Sequence, residues 1–146
     1  MRIYFDMCSL QRPLDDKAQL RVLIEAQAVL GVLALCEAGG AELIASDALV
    51  FENDANPDVV RRDFGAQVIA KAAQLVKAND PLKVRAQTFV SSGIKPLDAL
   101  HLASAVEALA DFFCTCDDRL LKKARSLDTA PTKVVSPLEL VSELQS

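Results

Sequence analysis

The sequence contains few residues of the kinds that bind metals or cofactors through sulfur or nitrogen. It has one histidine, His101, no tryptophan, and four cysteines, Cys8, Cys36, Cys114 and Cys116, with no Cys-x-x-Cys pair among them. This spacing provides neither the ligand pairs of a zinc site nor the disulfide framework of a small secreted domain. We therefore expect reduced cysteines and no zinc.

The sequence also lacks a long apolar stretch and an excess of positive charge. Its longest apolar run, residues 28–36, is far shorter than the roughly 20 residues of a membrane span. No signal-peptide pattern precedes it. The 16 Lys and Arg residues minus the 20 Asp and Glu residues give a net charge of −4, so no overall attraction to nucleic acid is expected. We expect a cytoplasmic protein without membrane contact, in which nucleic-acid binding needs local basic patches or metal ions.

Length and hydrophobic content predict one domain over residues 1–146. A chain of 146 residues with 51% hydrophobic residues can form one continuous core, and with only 5% aromatic residues that core is built mainly from Ala, Leu, Val and Ile. Turn and hydrophobic patterns predict strands at residues 2–5, 41–45, 74–77, 112–116 and 134–135. Helices separate these strands, which favours an α/β fold with a mainly parallel sheet covered on both faces.

Several helix boundaries are marked by capping residues. A long helix is predicted from Lys17 to Glu37, with Asp16 as its N-cap and Gly39-Gly40 at its end. A capping residue followed by proline predicts three further helix starts. These are Asn56-Pro57, Asp80-Pro81 and Ser136-Pro137, the last with Glu139 at the capping-box position.

Acidic residues occur where the predicted strands end. Asp6 follows the first strand and Asp117 follows the strand at residues 112–116, while Asp98 lies in the first turn of a helix opened by Pro96. Glu52 follows the second strand by less than two helical turns. Ligands of open α/β sheets bind at the carboxyl ends of the strands, so we expect these acids to share one edge. Clustered carboxylates favour a divalent cation, and oxygen-only ligands select Mg²⁺ or Mn²⁺.

Each of these residues also has an ordinary structural interpretation. Asp117 can simply cap its helix, and Asp98 gains from the helix dipole without a metal. Asp6 is predicted to have no helix to cap, because Pro13 comes first. His101 is interpreted either as a buried structural histidine or as a contact of the site, and Cys114 and Cys116 as core residues on one side of a strand. The basic residues Arg119, Lys122, Lys123 and Arg125, with Arg61-Arg62, form either a solvated surface or a phosphate-binding patch.

Three segments together resemble the PIN-domain nucleases, a family that includes the toxin components of bacterial toxin–antitoxin pairs. They are Ile3-Tyr4-Phe5-Asp6 with residues 8–16, residues 96–103 (PLDALHLA), and residues 111–121 (DFFCTCDDRLL). The resemblance covers nearly the whole chain. It implies a three-layer α/β/α sandwich in which Asp6, Glu52, Asp98 and Asp117 bind Mg²⁺ or Mn²⁺ and RNA is hydrolysed. It also implies an antitoxin partner and a homodimer.

One position departs from the family pattern. Met7 follows Asp6, where the family usually has a small polar residue that supports the metal site. This difference motivates an alternative, a PIN-like module that has lost catalysis and binds RNA or protein. A phosphotransfer receiver domain fits less well, because no lysine follows a strand at the position where such domains contact the phosphoryl group.

Overall fold

The structure is a computed structural model and describes residues 1–145. Its centre is a parallel sheet with the strand order β3-β2-β1-β4-β5. The strands are β1 (Arg2–Phe5), β2 (Glu42–Ser46), β3 (Gln74–Val76), β4 (Phe112–Cys114) and β5 (Lys133–Val135). All four neighbouring pairs of strands are parallel.

Helices connect consecutive strands and flank the sheet. They are α1 (Met7–Leu10), a 3₁₀ turn (Arg12–Leu14), α2 (Leu20–Glu37), α3 (Asp47–Asp54), α4 (Val59–Ala70), α5 (Asp80–Ser91), α6 (Pro96–Glu107), α7 (Asp118–Arg125) and α8 (Pro137–Gln145). Helix α2 packs against α8, and α5 packs against α6, which contacts β2 and β4. Because parallel strands need crossover connections, this arrangement follows from the alternation in the sequence. The predicted α/β class with a parallel sheet is confirmed.

The central strand β1 holds the largest buried side chains. Ile3, Tyr4 and Phe5 are fully buried, and Tyr4 lies beside Ile44 of β2 and Phe113 of β4 in the register of the sheet. The rings of Tyr4 and Phe113 stack with centroids 5.6 Å apart. Because β1 has a neighbour on both sides, its backbone is fixed, and so is the position of Asp6, which follows Phe5 and donates its amide to the Cys114 carbonyl at 3.2 Å.

Two predicted helix boundaries are confirmed in detail. Gly39 has φ of 85° just after α2, and the amide of Gly40 donates to the Leu35 carbonyl at 2.9 Å, which is the capping pattern that a left-handed glycine permits. At α8, the Ser136 amide donates to Glu139 Oε1 at 3.0 Å, and the Glu139 amide donates to Ser136 Oγ at 3.3 Å. This is the predicted capping box.

Other boundaries were predicted wrongly. Helix α2 begins at Leu20 instead of Lys17, because the Asp16 carboxylate accepts from the Ala18 amide in a turn and caps no helix. Helix α4 begins at Val59 after the cap Asp58, so Pro57 precedes the cap instead of opening the helix.

Two further corrections concern single residues. The cap of α5 is Asn79 instead of Asp80, because the Asn79 side chain accepts from the Leu82 amide and Asp80 is already helical. Strand β4 ends at Cys114, which is buried, whereas Cys116 lies beyond it and is only partly buried. The two cysteines are therefore not equivalent core residues. No helix within residues 1–145 is long and apolar enough to cross a membrane.

Candidate functional site

Asp6 lies directly after β1, with its side chain buried at 4% exposure. Its Oδ1 accepts from the Ser9 amide at 3.1 Å and from Ser9 Oγ at 2.8 Å. Asp6 therefore caps α1, and the prediction that it has no helix to cap was wrong. A single helical turn fits between Phe5 and Pro13, and so short a turn has no hydrophobic period that would reveal it.

The remaining neighbours of Asp6 are neutral donors. Cys8 Sγ lies 3.2 Å from Asp6 Oδ1, and a hydrogen bond with Thr115 adds to those with Ser9. Burial raises the pKa of Asp6, although these hydrogen bonds and the nearby His101 act in the opposite direction. Within residues 1–145, no lysine or arginine pairs with this carboxylate. The hydrogen bonds to this carboxylate therefore come from neutral donors.

Asp98 is brought to Asp6 by the first turn of α6. It is half-buried, and burial raises its pKa. The negative charges of neighbouring carboxylates raise this pKa further, while His101 lowers it. Those carboxylates are Asp6, Asp117 and Glu52. The structure thus places the predicted site residues within one electrostatic neighbourhood at the carboxyl ends of the strands.

Glu52 reaches this neighbourhood from α3 through a buried chain of hydrogen bonds. Its Oε1 lies 2.7 Å from His101 Nε2, and His101 Nδ1 lies 2.6 Å from the Tyr4 hydroxyl. The Tyr4 hydroxyl in turn lies 2.6 Å from Ser46 Oγ, which accepts from the Leu49 amide.

The chemistry of Glu52 fixes the direction of this chain. A carboxylate only accepts, so His101 donates from Nε2 and, when neutral, accepts at Nδ1 from the Tyr4 hydroxyl. Tyr4 then accepts from the Ser46 hydroxyl. The two interpretations of His101 are therefore compatible, since it is 1% exposed and also holds a site carboxylate. Sequence reasoning missed Tyr4 and Ser46, because their pairing spans three separate elements.

Asp117 performs its ordinary structural role as well. It is exposed, and its Oδ1 accepts from the Arg119 amide at 2.9 Å and from the Leu120 amide at 3.2 Å, which caps α7. The adjacent Asp118 points elsewhere, because both of its oxygens bind the Arg21 guanidinium at 2.8 and 2.7 Å. Of the two neighbouring acids, Asp117 is the one that acts on Asp98.

Met7 is apolar and cannot hydrogen-bond to the site, but the hydroxyl groups of Ser9 and Thr115 do so in its place. Met7 is buried at 7% exposure in α1, and Ser9 donates to Asp6 instead. Thr115 bonds Asp6, and its Oγ1 also accepts from the Asp117 amide at 3.1 Å. Sequence reasoning missed Ser9, although Asp followed three residues later by Ser is compatible with an N-cap contact.

These residues fit a hard divalent cation in their chemistry. The donor set consists of carboxylate oxygens, which suit Mg²⁺ or Mn²⁺. Burial raises the pKa of Asp6 and of Asp98, and neighbouring carboxylates raise that of Asp98 further, so a cation would stabilise the ionised forms of both. Within the described part of the chain, no three His, Cys, Asp or Glu side chains form a ready set of metal ligands. The acids share a neighbourhood without forming a closed coordination shell.

The predicted basic patch is divided by the fold. Arg61 pairs with Asp15 at 2.9 Å, and Arg62 donates to the Asn56 carbonyl at 2.9 Å. Arg125 pairs with Glu139 at 2.6 Å. These three side chains are therefore engaged in intramolecular contacts, unlike Arg119 and Lys122 of the same predicted patch.

Comparison with known proteins supports the fold. No family model and no curated protein matches the sequence. A solved structure does match: a chain in the crystal structure of VapBC2 from Rickettsia felis bound to a DNA fragment from their promoter. The TM-score is 0.60 at 10% sequence identity, over 92% of this chain and 99% of that chain. The chain therefore has a PIN-like α/β fold.

Proposed function

We propose that this protein is a Mg²⁺- or Mn²⁺-dependent endoribonuclease of PIN type. The observation that carries the proposal is that the negative charge of the buried Asp6 raises the pKa of Asp98. Both have raised pKa values, and the carboxylates of Glu52 and Asp117 lie in the same neighbourhood. Carboxylates gathered without a lysine or arginine partner are costly, so they favour the binding of a cation that offsets their charge.

The cation would be held by Asp6, Asp98 and Asp117, with Glu52. When bound, it supplies a Lewis acid for the phosphodiester and lowers the pKa of water. The protein itself orients the acids. Ser9 and Thr115 hold the Asp6 carboxylate, and His101 holds Glu52. The expected products carry a 5′-phosphate and a 3′-hydroxyl, as the resemblance to the PIN nucleases implies.

We propose further that the protein is the toxin-type component of a toxin–antitoxin pair in the cytoplasm. The fold-level likeness to a chain of VapBC2 supports a partner of the antitoxin class. The resemblance to the PIN nucleases also favours a homodimer. Size-exclusion chromatography with light scattering, on the chain alone and after coexpression with the product of the adjacent gene, tests both assemblies.

Cleavage of mixed-sequence single-stranded RNA tests the activity. Wild type, Asp98→Asn and Asp118→Asn are compared with Mg²⁺, with Mn²⁺ and with EDTA. Asp118→Asn is the matched control, because Asp118 is also acidic and adjacent to the site but pairs with Arg21. We expect metal-dependent cutting by wild type and the control, and a loss of at least 100-fold in Asp98→Asn. If folded wild type, free of antitoxin, cuts nothing, a non-catalytic binding module replaces the nuclease.

A further inference from the structure

Most basic side chains of this protein are neutralised by an acid. Ion pairs with carboxylates involve Arg2, Arg12, Arg21, Arg61, Lys71, Lys77, Arg85, Arg125 and Lys133. Within residues 1–145, the lysine and arginine side chains that make no hydrogen bond or ion pair are those of Lys83, Lys95, Arg119 and Lys122. All of these are exposed. In the same part of the chain, Lys17, Arg62 and Lys123 donate to backbone carbonyls but pair with no acid, so their positive charge is not offset either.

Three of the unpaired side chains lie beside the acidic site. Asp117, the cap of α7, raises the pKa of Asp98 in the first turn of α6, so the two acids lie in one electrostatic neighbourhood. Farther along α7, Lys123 Nζ donates to the Gly93 carbonyl at 2.8 Å. Helix α7 therefore runs alongside residues 93–98, which include Lys95. We call Lys95, Arg119, Lys122 and Lys123 the basic rim.

All four side chains of the rim are exposed. Arg119, Lys122 and Lys123 are spaced i, i+3 and i+4 on α7, which places them on one side of the helix. Leu120 and Ala124, on another side of the same helix, are buried. The Asp118 carboxylate does not offset the rim, because both of its oxygens bind Arg21.

We propose that the basic rim binds the sugar–phosphate backbone of single-stranded RNA and leads it to the acidic site. This inference rests on the proposed function and names the surface that would hold its substrate. A polyanion with charges repeated along its length can contact α6 and α7 together and continue towards Asp98. The rim thus provides local attraction in a protein whose net charge of −4 provides none.

Binding without cleavage tests the rim. A labelled mixed-sequence single-stranded RNA is titrated, in EDTA, with Asp98→Asn protein, and its fluorescence anisotropy is followed over a range of KCl concentrations. Into this background we place Lys95→Ala/Arg119→Ala/Lys122→Ala. The control, Lys71→Ala/Lys77→Ala/Lys83→Ala, removes the same charge from exposed lysines outside the rim.

The rim variant is expected to bind RNA roughly tenfold more weakly than its parent at low salt. Its salt dependence should also be shallower by about 2 in the slope of log K against log salt, because each phosphate contact on a single strand contributes about 0.7. The control variant should match the parent. Equal weakening in both variants, or none in the rim variant, would overturn the proposal. Competition by polyglutamate as effective as that by unlabelled RNA would overturn it as well and assign the rim to an acidic protein segment.

The measurement separates this inference from the proposed function, since it uses neither metal nor cleavage. RNA binding that depends on the rim, in a protein whose wild type cuts no RNA, supports the rim and contradicts the nuclease. If wild type cuts RNA but the rim variant binds RNA as well as its parent does, the proposed role of the rim is contradicted and the proposed nuclease activity is retained.

Discussion

Two neighbouring regions of this molecule bury a carboxylate in different ways. Glu25 of α2 is 2% exposed, and its Oε1 accepts from the Arg12 guanidinium at 2.7 and 3.0 Å, with Arg21 at 3.5 Å. Asp6 is 4% exposed, and its contacts are with hydroxyl, thiol and amide donors. At similar burial, one acid has cationic partners and the other has neutral ones.

The difference separates a structural role from a functional one. A buried ion pair is complete in itself, because the charge of each partner offsets that of the other. The acids around Asp6 are oriented but not neutralised, so the protein keeps a negative potential at one edge of its sheet. That potential can attract a ligand of positive charge. The neutral donors keep the carboxylates in place without cancelling their negative charge.

The largest effect on stability is expected from breaking the buried ion pair between Arg12 and Glu25. Arg12→Met leaves the buried Glu25 with only the more distant Arg21. Such a loss should lower the free energy of unfolding by about 3 kcal/mol and Tm by roughly 6–12 °C. Urea denaturation and calorimetry measure both. The double variant Arg12→Met/Glu25→Leu, which removes both charges, should recover most of the loss; a single variant as stable as wild type would contradict the assigned role.

A smaller effect is expected from breaking the neutral chain behind Glu52. Tyr4→Phe leaves His101 Nδ1 and Ser46 Oγ without their shared partner. Burying unpaired polar atoms should lower the free energy of unfolding by about 1–3 kcal/mol. Since His101 is the only histidine, its ¹⁵N spectrum reports the tautomer without ambiguity.

In wild type, Nε2 should carry the proton, and Tyr4→Phe should alter the Nδ1 signal. Ser104→Ala serves as the control, because Ser104 is also buried in α6 but bonds within its own helix. A Tyr4→Phe variant with unchanged stability and an unchanged Nδ1 signal would contradict the chain.

The smallest expected effect is a gain in stability, from the substitution Asp98→Asn. Burial and neighbouring acids raise the pKa of Asp98 in the folded protein, so the folded state favours the protonated form. The resulting loss of stability is absent below the unfolded pKa, near 4, and develops as pH rises through the folded pKa. Asp98→Asn should therefore raise Tm at pH 7 in EDTA.

At pH 3.5 the difference between Asp98→Asn and wild type should vanish. Asp118→Asn should act in the other direction at pH 7, because Arg21 lowers the pKa of Asp118. Calorimetry at the two pH values measures both variants. An Asp98→Asn variant that is less stable than wild type at pH 7 would show that this carboxylate is already compensated.

The sequence predicted the elements that local patterns define. The apolar run of β1 ends abruptly at Asp6, and Pro96 opens α6 two residues before Asp98, so the placement of both acids followed from the element order. Helix starts were less accurate where two capping residues compete, as Asp58 does with Asn56 beside Pro57.

The supporting contacts could not be predicted in the same way. Tyr4 and His101 are separated by 97 positions in the chain, and their bond exists only because β1 and α6 pack together. Nor does the sequence reveal which basic residues are neutralised, since the Arg125–Glu139 pair depends on the contacts that α7 and α8 each make with β5. Local periodicity describes single elements, and these contacts are properties of their assembly.

Binding of Mn²⁺ tests most directly whether the acids form one cation site. Isothermal titration calorimetry on metal-free wild type should show saturable binding that is lost in Asp6→Asn and in Asp98→Asn and is retained in Asp118→Asn. Circular dichroism of each variant checks that it is folded. Saturable binding that disappears with either site acid would support the account; absence of binding to wild type, or equal binding by Asp98→Asn, would contradict it.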